Sequence, residues 1–317
     1  MFSNSVLFFS YSYDCNAVCE KCLNRYHRLR NFKVSQAVCD RFLELLRLYD
    51  YDGTIEFGSG ESLIASGFVE FVQKVLLFAP RSNVKILSNG IRFNKELPRS
   101  LLENPRLSWG ITFDGFFNDD LIGLQKGVNL EKIKQAFRDF EILPKNIYLN
   151  YTLTSKNVFS LSDFLRFCHE MHIPKFYVTP IKIFAETQSA SWAKVDFNDS
   201  RVKEALASAS ELALSLKLTG NVPLSDTQKT SRCMCWTRGR AWPVVDIDGT
   251  LSFCMGREDV TIGNILDADI VERWEEQRNK LMKKPSEGVA WCAYCSGKPD
   301  NHGVYPTPKG KFNSTLS

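Results

Sequence analysis

Histidine is scarce in this sequence, four in 317 residues, and those nearest the cysteines are not at zinc-ligand spacing. No Ser/His/Asp arrangement and no Walker loop appears, so acyl transfer by a serine triad and P-loop phosphoryl transfer are not indicated. Surplus charge is almost absent: the net is +4, which argues against a strong binder of nucleic acid. No apolar run approaches the roughly 18–20 residues that span a bilayer. The early run Val6-Leu7-Phe8-Phe9 is too short for a signal peptide and lacks a basic flank. A cytoplasmic protein with no membrane partner is therefore expected. Hydrophobic residues make up 44% and charged residues 24%, a balance that excludes a disordered or fibrous chain. The length suits one large domain, or one domain with a small appendage.

Cysteine, by contrast, is plentiful: there are ten. A reducing cytosol disfavours a disulfide framework. The cysteines also cluster, at positions 15, 19 and 22, then 233, 235 and 254, then 292 and 295, with 39 and 168 standing alone. Two groups far apart in sequence read first as metal ligands. Cys39 and Cys168 fall in helical patterns and are expected to be buried core thiols.

The first 180 residues alternate between short apolar runs and helical patterns. Strands are expected at Ser5 to Tyr11, Thr54 to Phe57, Val84 to Leu87, Leu107 to Phe113, Ile147 to Leu153 and Phe176 to Thr179. Helices are expected at Ser35 to Tyr49, with Ser35 as N-cap, from the Gly58-Ser59-Gly60 turn to Phe78, at Leu130 to Phe140 and at Leu161 to Met171. Six such units in a row argue for a parallel sheet with right-handed crossovers, and at this spacing for a partial (β/α)6 barrel, an α/β fold of the TIM type. Chemistry in such barrels sits at the C-terminal ends of the strands. The first cysteine group, the Gly58–Glu61 turn, Ser88-Asn89-Gly90 and Asp114-Gly115 all fall there, which argues for one shared site. Beyond the barrel (1–180) a helical connector is expected over 181–232, with a helix at Val202 to Leu218 and a polar linker at Pro223 to Ser231. A hairpin follows, Trp242 to Ile247 and Thr250 to Phe253 about the Asp248-Gly249 turn, and then a helix at Asp267 to Lys284. The tail 299–317 is rich in Pro, Gly, Lys and Asn and is expected to be mobile.

Cys15-x3-Cys19-x2-Cys22 puts three thiols in one loop after the first strand. Zinc sites usually draw four ligands as two pairs. Three thiols with no fourth in range suit a [4Fe–4S] cluster with one iron left open. This CxxxCxxC spacing resembles the radical S-adenosylmethionine (SAM) superfamily. The resemblance implies that the open iron chelates SAM and that one electron from the cluster cleaves the sulfonium to a 5′-deoxyadenosyl radical. Gly58-Ser59-Gly60-Glu61 resembles the family's GGE motif, displaced, with Ser62 where proline is frequent. It implies that Gly58 and Gly60 shape the SAM site and that Glu61 accepts the SAM ammonium; on its own, Glu61 also reads as a surface glutamate at a helix N-terminus. Ser88-Asn89-Gly90 is similar to the family's T-N-G, and Thr112-Phe113-Asp114-Gly115 to its S-x-D-G. These imply that Ser88, Asn89 and Thr112 contact SAM and that Asp114 reaches ribose or substrate as a catalytic candidate. The residue before the third cysteine is usually an aromatic that touches adenine, but here it is Lys21, so adenine packs elsewhere or an aromatic such as Phe57 compensates.

The second group, Cys235-x13-Gly249-x4-Cys254 and then Cys292-x2-Cys295, resembles the twitch domain, the short form of the SPASM domain, whose pattern is C-x(9–15)-G-x4-C followed by CxxC. Ile262-Gly263-Asn264-Ile265 matches a stretch that family carries before its helix. The resemblance implies a twitch-like domain over 233–298 whose four thiols hold an auxiliary [4Fe–4S] cluster; a structural zinc on the same cysteines is the other reading. Cys233, two residues from a ligand, is a candidate hydrogen-atom donor. Trp236, Trp242 and Trp291 flank this group and would shield the cluster. Arg25-Tyr26-His27-Arg28 reads as a substrate-facing basic stretch or a solvated charge run. The resemblance implies an enzyme with two [4Fe–4S] clusters and SAM, served by an electron donor such as flavodoxin or ferredoxin. Its substrate is expected to be a ribosomally made peptide that is crosslinked, epimerised or cleaved. The alternative is a small molecule such as an aminocyclitol, sugar or cofactor precursor, a reading helped by the expected start of the first strand near Ser5, with no peptide-recognition domain ahead of it.

Overall fold

The structure, a computed structural model, describes residues 6–22, 33–140, 143–181, 185–224, 243–252 and 261–283. The six expected barrel strands all form: β1 (Val6–Phe9), β3 (Thr54–Phe57), β4 (Asn83–Ser88), β5 (Leu107–Phe113), β7 (Ile147–Leu153) and β8 (Phe176–Pro180), with the two-residue strands β2 (Val18–Cys19) and β6 (Gln125–Lys126) between them. The six long strands pair in parallel in chain order. Between them run α1 (Gln36–Leu48), α2 (Phe68–Phe78), α3 (Arg99–Leu102), α4 (Leu130–Arg138) and α5 (Leu161–Glu170), and α6 (Ser200–Ser215) follows β8. Local signals set the helix starts. The Ser35 hydroxyl accepts from the Val38 amide at 3.3 Å, and Asn129 from Lys132 at 3.1 Å.

Strand periodicity divides the sheet into two faces. Phe9, Ile55, Phe57, Ile86, Trp109 and Phe113 point to the helices and are buried in one core. Cys39 and Cys168 lie in that core as expected. Phe9 stacks on Phe42 with ring centroids 4.3 Å apart, and Phe57 meets Phe68 edge-on at 5.3 Å. Residues on the other face are mostly polar: Glu56, Lys85, Ser108, Thr112, Asn150 and Thr152 are half-buried. A Glu56–Lys85 ion pair spans two strands there at 3.0 Å. A polar concave face beside an apolar convex one is what an open barrel needs if its hollow is to hold a polar molecule.

The C-terminal hairpin joins this sheet. Strands β9 (Val244–Val245), β10 (Thr250–Ser252) and β11 (Thr261–Asn264) extend it to nine, in the order β11-β10-β9-β1-β3-β4-β5-β7-β8. The link is parallel: Phe8 pairs with Val244 and Phe9 with Val245. Gly249 makes the turn at φ +85°, as the Asp-Gly pair predicts. Helix α7 (Ile270–Lys283) closes over the new strands. Leu7, Phe42, Val245, Leu251, Ile270 and Trp274 share one apolar pocket between barrel and hairpin. Several bounds differ from expectation. β1 stops at Phe9 rather than Tyr11, and the helix expected to run from the glycine turn breaks into a 3-10 turn (Ser62–Ile64) and α2, with Gly67 at φ +78° between them.

Candidate active site

Cys15, Cys19 and Cys22 sit in the segment after β1, Cys19 at the end of the short strand β2, all half-buried and in no disulfide. The Cys22 amide donates to the Cys19 carbonyl at 3.2 Å. The Asn89 carboxamide donates to Cys15 Sγ at 3.8 Å and to Asn16 Oδ1 at 2.9 Å. Among the described residues no three His, Cys, Asp or Glu side chains converge on a point that would hold a single metal ion. Three thiols in one partly exposed loop, one of them already taking an N–H, still fit a cubane cluster, which offers a separate iron to each sulfur. The thiols are soft donors of the right number for three corners of it.

The Gly58–Glu61 turn lies against this loop. Gly60 has φ +59°, and a Cβ there would stand 2.5 Å from the Asp14 carbonyl oxygen and 2.7 Å from that of Ser12. The Glu61 amide donates to the Asp14 carbonyl at 2.7 Å. Glu61 is 0% exposed, so it is no surface glutamate. Its carboxylate accepts from Ser88 Oγ at 2.9 Å and from the Asn89 amide at 2.6 Å. Burial pushes its pKa up to about 7, against those hydrogen bonds. The ends of β3 and β4 thus aim one desolvated carboxylate beside the cysteine loop. Ser88 is spent on Glu61, and its oxygen also accepts from the Gly90 amide at 3.0 Å, so it orients the carboxylate from behind. Gly58 serves packing: a Cβ there would meet Leu87 at 2.9 Å and the Phe8 ring at 3.1 Å.

Across the barrel mouth, Asp114 is 1% exposed and pairs with the Lys21 ammonium. The ammonium also donates to Thr152 Oγ1 at 2.6 Å. The buried Asn157 carboxamide donates to the carbonyls of Asp114 (2.8 Å) and Thr152 (2.7 Å), fixing both strand ends. Thr112 lies one turn of the pleat deeper, on the concave face beside Asn150. Lys21, read only as a missing aromatic, instead ties the cysteine loop to β5 and β7. Phe57 cannot compensate for it: that ring is fully buried in the helix-facing core. Asn157 carried no signal in the sequence, being one polar residue in a loop. Lys21→Met should destabilise the metal-free protein by about 3 kcal/mol in urea unfolding, because it leaves a buried carboxylate without its cation. Adding Asp114→Asn should recover most of that loss. Cys233, Cys235, Cys254, Cys292 and Cys295, with the flanking tryptophans and Arg25 to Arg28, lie outside the described residues.

No family model matches the sequence, and no curated protein matches it either. Solved structures do match. The anSMEcpe enzyme with bound AdoMet and the Cp18Cys peptide is 17% identical, over 92% of this chain and 88% of that one, with a TM-score of 0.68. Streptococcus suis SuiB bound to S-adenosylmethionine is 13% identical over 86% and 66%, with a TM-score of 0.65. BtrN in complex with AdoMet and 2-DOIA is 15% identical over 92% of both chains, with a TM-score of 0.55. All three are radical SAM enzymes. The parallel barrel, with the cysteine loop and Glu61 at its mouth, therefore has the fold of the radical SAM enzymes.

Proposed function

We propose that this protein is a radical SAM enzyme that abstracts hydrogen from a C–H bond of a ribosomally made peptide, with an auxiliary [4Fe–4S] cluster held by Cys235, Cys254, Cys292 and Cys295. The observation that carries the first part is the desolvated Glu61 carboxylate, held by Ser88 and Asn89 beside the CxxxCxxC loop. Cys15, Cys19 and Cys22 would hold the first cluster, which supplies the electron for reductive cleavage of SAM. The protein's own contributions follow from the geometry. Glu61 binds the SAM ammonium and sheds onto water the proton it carries near neutral pH. Asn89 donates to Cys15 and fixes the loop against β4. Lys21, Asp114 and Thr152 lock the loop to the far side of the barrel. The concave face, with Glu56, Lys85 and Asn150, is where a polar substrate is received. Cys233 and Asp114 remain the candidates for delivering a hydrogen atom and for meeting the substrate.

Two neighbours support a peptide substrate: anSMEcpe with its Cp18Cys peptide, and SuiB bound to the precursor peptide SuiA. A small molecule is the second reading. It is supported by the match to BtrN in complex with 2-DOIA, over 92% of both chains. A soluble electron donor of the flavodoxin or ferredoxin type would complete the system. The test is anaerobic. Reconstituted protein should hold about eight irons and, with dithionite and SAM, release 5′-deoxyadenosine. Exchange of Cys15, Cys19 and Cys22 for serine together should remove about half the iron and all the cleavage. Bound zinc with no cleavage would overturn the reading. Transfer of deuterium from a labelled peptide encoded beside the gene into 5′-deoxyadenosine, or its failure there, separates the two substrate classes.

A further inference from the structure

The two short strands β2 and β6 form a ribbon at the barrel mouth, with Cys19 opposite Gln125 and Val18 opposite Lys126. Opposed residues of an antiparallel pair share a face. Val18 is 60% exposed and Lys126 is also exposed, so that pair marks the solvent side. Cys19 and Gln125 therefore face inward together. Gln125 is 5% exposed, yet its Oε1 is buried with no hydrogen-bond partner among the described residues. A buried carbonyl oxygen left without a donor costs free energy, and the native exceptions call for an explanation. Lys126, the next residue, lies on the exposed side of the ribbon opposite Val18, and Lys21 is taken by Asp114 and Thr152. The place of Gln125 opposite Cys19 puts this unpaired acceptor beside the cysteine loop.

Resting on the radical SAM reading above, we infer that Gln125 is a binding residue whose Oε1 accepts a hydrogen bond from the adenosyl part of SAM, from the adenine amino group or a ribose hydroxyl. The ribbon thereby takes over the recognition that an aromatic at the position of Lys21 does not provide. Gln125 acts on binding and leaves the ligation of iron to the cysteines.

The test uses the full chain, reconstituted anaerobically, with SAM affinity and melting temperature as readouts. Gln125→Leu should bind SAM about tenfold more weakly than the wild type, the loss of one buried hydrogen bond. The melting temperature without SAM should hold or rise, because the change removes an unsatisfied acceptor. Gln125→Met, which keeps the length of the side chain, should behave the same way. Two SAM analogues, one without the adenine amino group and one without the ribose hydroxyls, locate the donor: the penalty for one of them should vanish in the variant. Equal SAM affinity in wild type and variant overturns the inference alone, as does a variant that melts lower without SAM, or an analogue pair whose penalties both persist. A wild type that assembles its iron but never binds SAM overturns this inference and the proposed function together.

Discussion

Glu61→Gln should weaken SAM binding about 100-fold while making the metal-free protein more stable at pH 8. The two effects have one cause. Glu61 is a carboxylate without solvent contact that we propose meets the SAM ammonium, and burial raises its pKa from the ordinary 4.5 to about 7. A group whose pKa is raised on folding adds a proton to the native state, so stability falls as pH climbs between those two values. The loss is on the order of 3 kcal/mol by pH 8. Glutamine accepts from the Asn89 amide through its oxygen and donates to Ser88 Oγ through its nitrogen, so the local hydrogen bonds survive. Urea unfolding at pH 5 and pH 8 should show a fall for the wild type and a flat response for the variant. Binding moves the other way. An ionised Glu61 gives a charge-assisted bond to the ammonium, worth about 2–5 kcal/mol when one partner is truncated. Wild-type SAM affinity should also tighten roughly tenfold between pH 6 and pH 8, as the carboxyl loses the proton that competes with the ligand. A wild-type affinity that is flat with pH, together with a variant that binds SAM normally, would remove Glu61 from the site.

Gly60→Ala should cost about 4 kcal/mol of stability and prevent iron assembly on the first cysteine group. Two penalties add. The left-handed backbone at φ +59° strains any residue with a Cβ by roughly 1–2 kcal/mol. The new methyl would also press on the backbone of Ser12, Tyr13 and Asp14, all within 2.8 Å. Backbone cannot swing aside as a side-chain tip can, and forced overpacking adds about 1–3 kcal/mol. The strain falls on the residue just before Cys15, so iron content should drop along with the melting temperature. Gly58→Ala meets only side chains and should be milder.

Much of this was legible because the signals were periodic. β5 and β7 were readable to the residue: Trp109, Ile111 and Phe113 alternate with small or polar neighbours, and a glycine or proline sits close by each run. The cysteine spacing and the Gly58–Glu61 turn pointed to a candidate site at the strand ends, where the structure brings the two segments together. What escaped had no period. The β2–β6 ribbon is two residues long on each side, too short to alternate. Glu61 was weighed as a surface residue because burial of a charge is invisible without the hydrogen-bond partners that stand 27 and 28 positions away. Lys21 looked like a defect in a motif, since its partners Asp114 and Thr152 are remote in sequence. The hairpin is legible as a hairpin, but its docking on β1 depends on a pairing of Phe8 and Phe9 with Val244 and Val245, far apart in sequence.

That docking sets the order in which the molecule can be completed. On the ribosome, β1 is made first and finds β3 early, but its other edge has no partner until Val244 and Val245 emerge. At about 5–20 residues per second, that edge and the apolar wall around Leu7 and Phe42 wait roughly 10–50 seconds. An unpaired edge is a template for wrong pairing in the meantime. The bond from the Tyr13 hydroxyl to Asp246 forms only after this closure, so the cysteine loop gains its last anchor at the same late moment. Iron delivered before the hairpin arrives would meet a loop whose walls are still incomplete.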